Sequence, residues 1–138
     1  MAIFSKLSEY RLSTCHPDLV LLFNEVIKKI NCEVTEGYRN RADQEKAFDN
    51  GFSKDHYPFG KHNQIPSHAA DVYILPVDMK NLPRFFWFAG YTLAVADQLL
   101  QQGKMKYKVV WGGDWSRDYQ LTDEKGLRDL VHFELQIA

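Results

Sequence analysis

The stretch "VHFELQIA", residues 131–138, alternates without a break. Val131, Phe133, Leu135 and Ile137 fall on one face of an extended strand, and His132, Glu134 and Gln136 on the other. A slip of one residue would turn every apolar side chain into water, so the register of such a strand is strongly specified. The pattern demands a sheet with one dry face. It also leaves a histidine and a carboxylate on the opposite face, either in solvent or lining a cleft.

Other segments supply the cover for the dry face. Pro17 and Asp18 suit the first turn of a helix. Leu19, Leu22, Phe23, Val26, Ile27 and Ile30 then recur at helical spacing, which predicts a helix over about residues 17–30. "CEVTEGYR" reads as a short strand running into a turn. Asn40 can cap a second helix, "RADQEKAFDN", and Gly51 can end it as a left-handed residue. Residues 51–68 hold Gly, Pro, Ser, Asn and His in no period and form a loop. "AADVYILP" follows as a strand stopped by Pro76. A third helix starts near Pro83 and ends before Gly103, burying Phe85, Phe86, Leu93, Ala96, Leu99 and Leu100. "KYKVVW" is another strand, and "GGDW" a tight turn after it. Helices and strands mix without a βαβ rhythm, so the expected class is α+β, a small antiparallel sheet packed with about three α-helices.

At 138 residues one domain over 1–138 is the expectation, with no linker or repeat to divide it. Net charge is −1 with both signs interleaved, which lacks the basic stripe of a nucleic-acid binder. Runs such as "LVLLF" are too short to span a bilayer. "MAIFSKLSEYRLST" lacks the apolar stretch and cleavage site of a signal peptide, so the expected place of synthesis and folding is the cytoplasm. Cys15 and Cys32 form no disulfide framework and read as free, buried thiols.

"GKHNQIPSHAAD", residues 60–71, brings two histidines and an aspartate to the head of a strand. A catalytic zinc site takes three nitrogen or oxygen ligands and leaves one position for water. It also wants a carboxylate that is not a ligand, to take a proton from that water. His62, Asp71 and His132 can supply the first set, and Asp129, expected in the turn that feeds the final strand, the second. His68 competes with His62, since His68-x-x-Asp71 is also a chelating spacing. Residues three apart in a strand point to opposite faces, however, which favours His62. Asp71 shares a face with Ala69 and Tyr73, where an unpaired carboxylate is costly and a bound cation would compensate it. His16, His56 and His68 read as loop or surface residues. Glu134 is open to two readings, a partner that orients His132 or a surface salt bridge. The cluster Phe85 to Phe88 reads as core, and Trp111 and Trp115 either wall the cleft or pack.

These motifs resemble the zinc-dependent peptidoglycan peptidases that include phage L-alanyl-D-glutamate endopeptidase endolysins and D-alanyl-D-alanine carboxypeptidases and dipeptidases. A family version S-x-H-N, a short gap, P-S-x-A-x-D stands here as "GKHNQIPSHAAD", which puts His62 and Asp71 on ligand positions. The closing D-x-x-H-x-E-L stands as "DLVHFEL", assigning Asp129 to the acid/base position and His132 to the third ligand. G-x-R-x-x-x-x-Q stands as "GYRNRADQ", which implies that Arg39 contacts substrate or oxyanion and Gln44 supports its loop. The "WGGDW" turn recurs in the endolysin branch. Gly60 stands where serine is usual, and Val131 where proline is frequent.

The resemblance implies the zinc D-Ala-D-Ala carboxypeptidase (hedgehog-like) fold and a Zn2+ cofactor. It also implies hydrolysis of stem-peptide bonds in peptidoglycan, with the L-alanyl-D-glutamate bond as leading choice. The expected protein is a monomer that engages neither nucleic acid nor membrane and acts at the cell wall after release, as a phage lysin would. The alternatives are a D-alanyl-D-alanine carboxypeptidase or dipeptidase, and a non-catalytic metal-binding wall module.

Overall fold

The computed structural model describes residues 2–121 and 129–137, so Ala138 of the alternating segment lies outside the described residues. The order of elements is α1 (Lys6–Ser13), α2 (Pro17–Val26), β1 (Cys32–Glu36), α3 (Arg41–Asp49), a 3-10 turn (Lys61–Asn63), β2 (Ala69–Ile74), α4 (Leu82–Gln101), β3 (Tyr107–Gly112) and β4 (Asp129–Ile137). The strands form one sheet in the order β1-β2-β4-β3, each pair antiparallel. The α+β class follows from the sequence as expected, with four α-helices among the described residues rather than about three.

The dry face of the sheet is covered by α4, with α2 packed beside it and reaching the sheet through Phe23. Phe133 is its centre, fully buried between the rings of Phe23 and Phe88 at 5.5 and 6.1 Å, both edge-on. Leu19, Leu22 and Val26 complete the buried stripe of α2. Burial of each such side chain contributes about 1.5–3 kcal/mol, enough to fix which face of β4 points inward. Ile137 departs from the alternation because β4 ends there, leaving it 88% exposed.

Three further expectations need correction. The first long helix stops at Val26 rather than near residue 30, and Lys28, Lys29 and Ile30 continue as turns. In α4 the buried face runs through Phe85, Phe88, Ala89, Thr92, Ala96 and Leu99. Phe86, Leu93 and Leu100 only pack against its edge, and Trp87 is exposed. Asp129 opens β4 instead of lying in a turn before it.

The caps behave as their residue types require. Asn40 accepts from the Asp43 N–H at 2.9 Å, and Gly51, with φ at +77°, closes the far end of α3. His16 Nδ1 accepts from the Asp18 N–H at 3.0 Å and so caps α2. Asp18 Oδ2 accepts from the Lys106 and Tyr107 N–H groups, tying that helix to the start of β3. Cys15 and Cys32 are free and buried, and burial pushes both thiols up to about 12.

Candidate active site

The sheet builds the site from its second and third strands. In the register of β2 and β4, Asp71 lies directly opposite His132 and Ala69 opposite Glu134, so these side chains share the face away from the core. Gly112 of β3 pairs with Asp129 across a bulge, and a Cβ there would collide with the Asp129 carbonyl. Only glycine lets the two strands approach so closely where Asp129 enters the site.

His62 arrives from the 3-10 turn. Asn63 holds that turn: its Oδ1 accepts from the Gly60 N–H, and its Nδ2 donates to the Arg39 carbonyl and to Gln44 Oε1. The Arg39 N–H in turn donates to the His62 carbonyl at 2.8 Å. Gln44, 1% exposed on α3, also donates from Nε2 to Ser53 Oγ and the Asp55 carbonyl. It thereby joins the loops on both sides of the site, the support role expected of it.

His62 Nδ1 donates to the Gly37 carbonyl at 2.7 Å, which leaves Nε2 facing Asp71 Oδ1 at 3.2 Å. His132 Nδ1 lies 3.1 Å from the same oxygen, and its Nε2 donates to Glu134 Oε1 at 2.9 Å. One ligand atom from each of His62, Asp71 and His132 lies within 4.8 Å of the others, so the group could hold a metal ion. Glu134 is thus a partner of His132, which resolves the two readings open from sequence.

The neighbouring carboxylates favour positive charge on His132. Burial alone would raise Asp71, but the two histidines hold its carboxyl well below the usual carboxylate range. Burial alone would lower His132, yet hydrogen bonds to Asp71 and Glu134 push it up to about 10. Asp129 moves the other way, raised by burial and then by the charge of Asp71. A carboxyl so placed is suited to carrying a proton.

Arg39 lies at the edge of the cluster, its Nε on Glu36 Oε1 at 3.2 Å and its Nη1 on Gln44 Oε1 at 3.1 Å. Its Nη2 is 3.9 Å from Asp71 Oδ2. A cavity of ≈ 450 Å³ opens over His62, His132 and Glu134, with Trp115 and Lys61 on its wall. A second of ≈ 590 Å³ opens beside Asp71 and Tyr73. Arg39, Phe52 and Asp129 line both. Trp115 sits with its ring 5.4 Å from that of His132, whereas Trp111 is core and donates to the Leu130 carbonyl. His68 and His16 stand apart, edge to face with each other, and His56 pairs with Glu45 near the surface. Sequence reasoning did not single out Asn63 or Lys61, although both flank His62.

A small antiparallel sheet carrying a His/Asp/His cluster beside an open cleft is an arrangement that a metal-dependent hydrolase can use. The sequence matches the family described as phage L-alanyl-D-glutamate peptidase over residues 1–136, and the chain belongs to that family. Its fold is similar to the crystal structure of the L-Ala D-Glu endopeptidase ChiX of Serratia marcescens, with a TM-score of 0.69 and 25% sequence identity. That similarity covers 97% of this chain and 90% of the other. No curated protein matches the sequence. Among the described residues no helix is long and apolar enough to cross a membrane.

Proposed function

We propose that this chain is a zinc-dependent endopeptidase that cuts the L-alanyl-D-glutamate bond of peptidoglycan stem peptides during phage lysis. The observation that carries the reading is the single oxygen, Asp71 Oδ1, faced by both His62 Nε2 and His132 Nδ1 where two cavities meet. Two imidazole nitrogens and a carboxylate oxygen are a donor set that suits zinc and leaves room for solvent. The outer nitrogens are already held by the Gly37 carbonyl and Glu134, which fixes ring orientation and ligand basicity.

His62, Asp71 and His132 would hold the ion. When bound, zinc supplies Lewis acidity that lowers the pKa of water and polarises a carbonyl. Asp129 takes a proton from the attacking water at its carboxylate and delivers it to the leaving amine. Water thus adds across the amide, leaving a carboxylate on L-Ala and an amine on D-Glu. Arg39, oriented by Glu36 and Gln44, faces the charge that develops on the carbonyl oxygen.

An endopeptidase must let the substrate run past both sides of the reacting bond, and cavities on either side of Arg39, Phe52 and Asp129 favour that over a carboxypeptidase. The same reading takes residues 1–138 as one catalytic domain, monomeric, made in the host cytoplasm and acting at the wall after release. It needs neither nucleic acid nor membrane as partner. Mass spectrometry of digested peptidoglycan should show new stem fragments beginning with D-Glu or D-isoglutamine, and a chelator should abolish them. Release of free D-Ala with the first stem bond intact would replace the endopeptidase reading with the carboxypeptidase one.

A further inference from the structure

The cleft wall over His62 and His132 carries three cations, Arg39, Lys54 and Lys61. Arg39 is engaged by Glu36 and Gln44, and Lys54 is exposed. Lys61 differs from both. It is half-buried, and among the described residues it takes part in no ion pair. Its backbone is fixed, because the Lys61 carbonyl accepts from the His68 N–H at 3.0 Å and Asn63 locks the turn. Lys61 lines the same cavity as His62, His132 and Glu134. Glu134 is already committed to His132, so among the described residues no carboxylate pairs with this half-buried ammonium, which is free to take an anion from a substrate.

The substrate class supplies such an anion. D-Glutamate in a stem peptide is joined onward through its side-chain carboxyl, so its α-carboxylate stays free on the carbon that carries the scissile nitrogen. An amide set against the cluster therefore places that carboxylate within a few bonds of the wall on which Lys61 stands. The second cavity sets four carboxylates, Glu36, Asp43, Asp71 and Asp129, against Arg39 and Lys46, a poorer host for an anion.

Resting on the endopeptidase reading above, we infer that Lys61 is a specificity-determining residue that binds the free α-carboxylate of D-glutamate. The leaving side of the substrate then occupies the cavity of Lys61 and Trp115, and the L-Ala side the cavity of Asp71 and Tyr73. The enzyme so built favours stem peptides with D-glutamate over those in which the α-carboxyl is amidated to D-isoglutamine.

Steady-state kinetics on two purified muropeptides differing only in that group test the inference. The wild type should have the higher kcat/KM on the acid. Lys61→Gln should reduce the acid-to-amide ratio by about 10-fold, as loss of a charge-assisted hydrogen bond implies, through KM on the acid rather than kcat. Lys61→Arg should restore most of the ratio, and Lys61→Glu should invert it. An unchanged ratio in Lys61→Gln would overturn the inference, including the case in which both substrates slow equally because the turn is damaged. A wild type that cuts the L-Ala–D-Glu bond of both muropeptides without preference would also overturn it, while leaving the endopeptidase reading intact. Failure to cut that bond in either would overturn both.

Discussion

Two pairs of histidine rings lie at nearly the same spacing in this molecule, 5.1 Å for His62 and His132 and 5.3 Å for His16 and His68. Their surroundings give them opposite characters. The first pair shares one oxygen of Asp71, and the outer nitrogen of each ring is held by an acceptor. In the second, His16 Nδ1 is spent on the cap of α2, and Asp18 Oδ2 is spent on two backbone N–H groups of the 106–107 segment. Both rings of the second pair pack edge-on or tilted against Tyr107. His132 is pushed up to about 10, whereas burial and then the nearby His16 lower His68. Proximity of imidazoles does not make a cation site. A shared carboxylate, with the far nitrogens already satisfied, gives a group that could hold one.

That contrast is easiest to break by activity. His62→Ala, Asp71→Ala and His132→Ala should each abolish peptidoglycan hydrolysis in a turbidity assay, while His16→Ala and His68→Ala retain it. Loss of activity in a folded His68→Ala variant would move the centre to the wrong pair. Asp129→Asn comes next: it should keep its metal and fold but cut turnover by roughly 10²-fold or more, as for a positioned proton carrier. Near-normal rates would make Asp129 structural and turn attention to Glu134.

Glu134→Gln probes the bond that holds the far nitrogen of His132. Metal affinity should weaken by about 10–100-fold, read by competition with a chromophoric chelator, with little change in fold. An unaltered affinity would mean that the His132–Glu134 bond contributes nothing to orientation. The smallest effect belongs to the second pair. His16→Ala should cost about 1 kcal/mol in urea unfolding through loss of the α2 cap, with metal content unchanged.

The same contrast shows what the sequence could reveal. Alternation along β4 placed His132 and Glu134 on one face, and the strand rule removed His68 in favour of His62, because both are consequences of local backbone geometry. The helix α1 escaped notice because it has no apolar stripe, burying only Ser8 and Leu12. The pairing of Asp71 with His132 spans 61 residues of chain, and the bond from His62 to Gly37 spans 25. No local period encodes either distance. Motif resemblance named the candidate ligands His62, Asp71 and His132, but the tautomer-fixing Gly37 carbonyl, the Asn63 lock and the place of Lys61 on the cleft wall are products of loop packing. Trp111 and Trp115 flank one turn and still part ways, one into the core and one into the cleft.

Elemental analysis of the purified wild type, His62→Ala and His68→Ala, each loaded with zinc and desalted, tests the central claim most directly. The account predicts about one zinc per chain in the wild type and in His68→Ala, and none in His62→Ala. Full zinc in His62→Ala with loss in His68→Ala, or no stoichiometric zinc in the wild type, would contradict it.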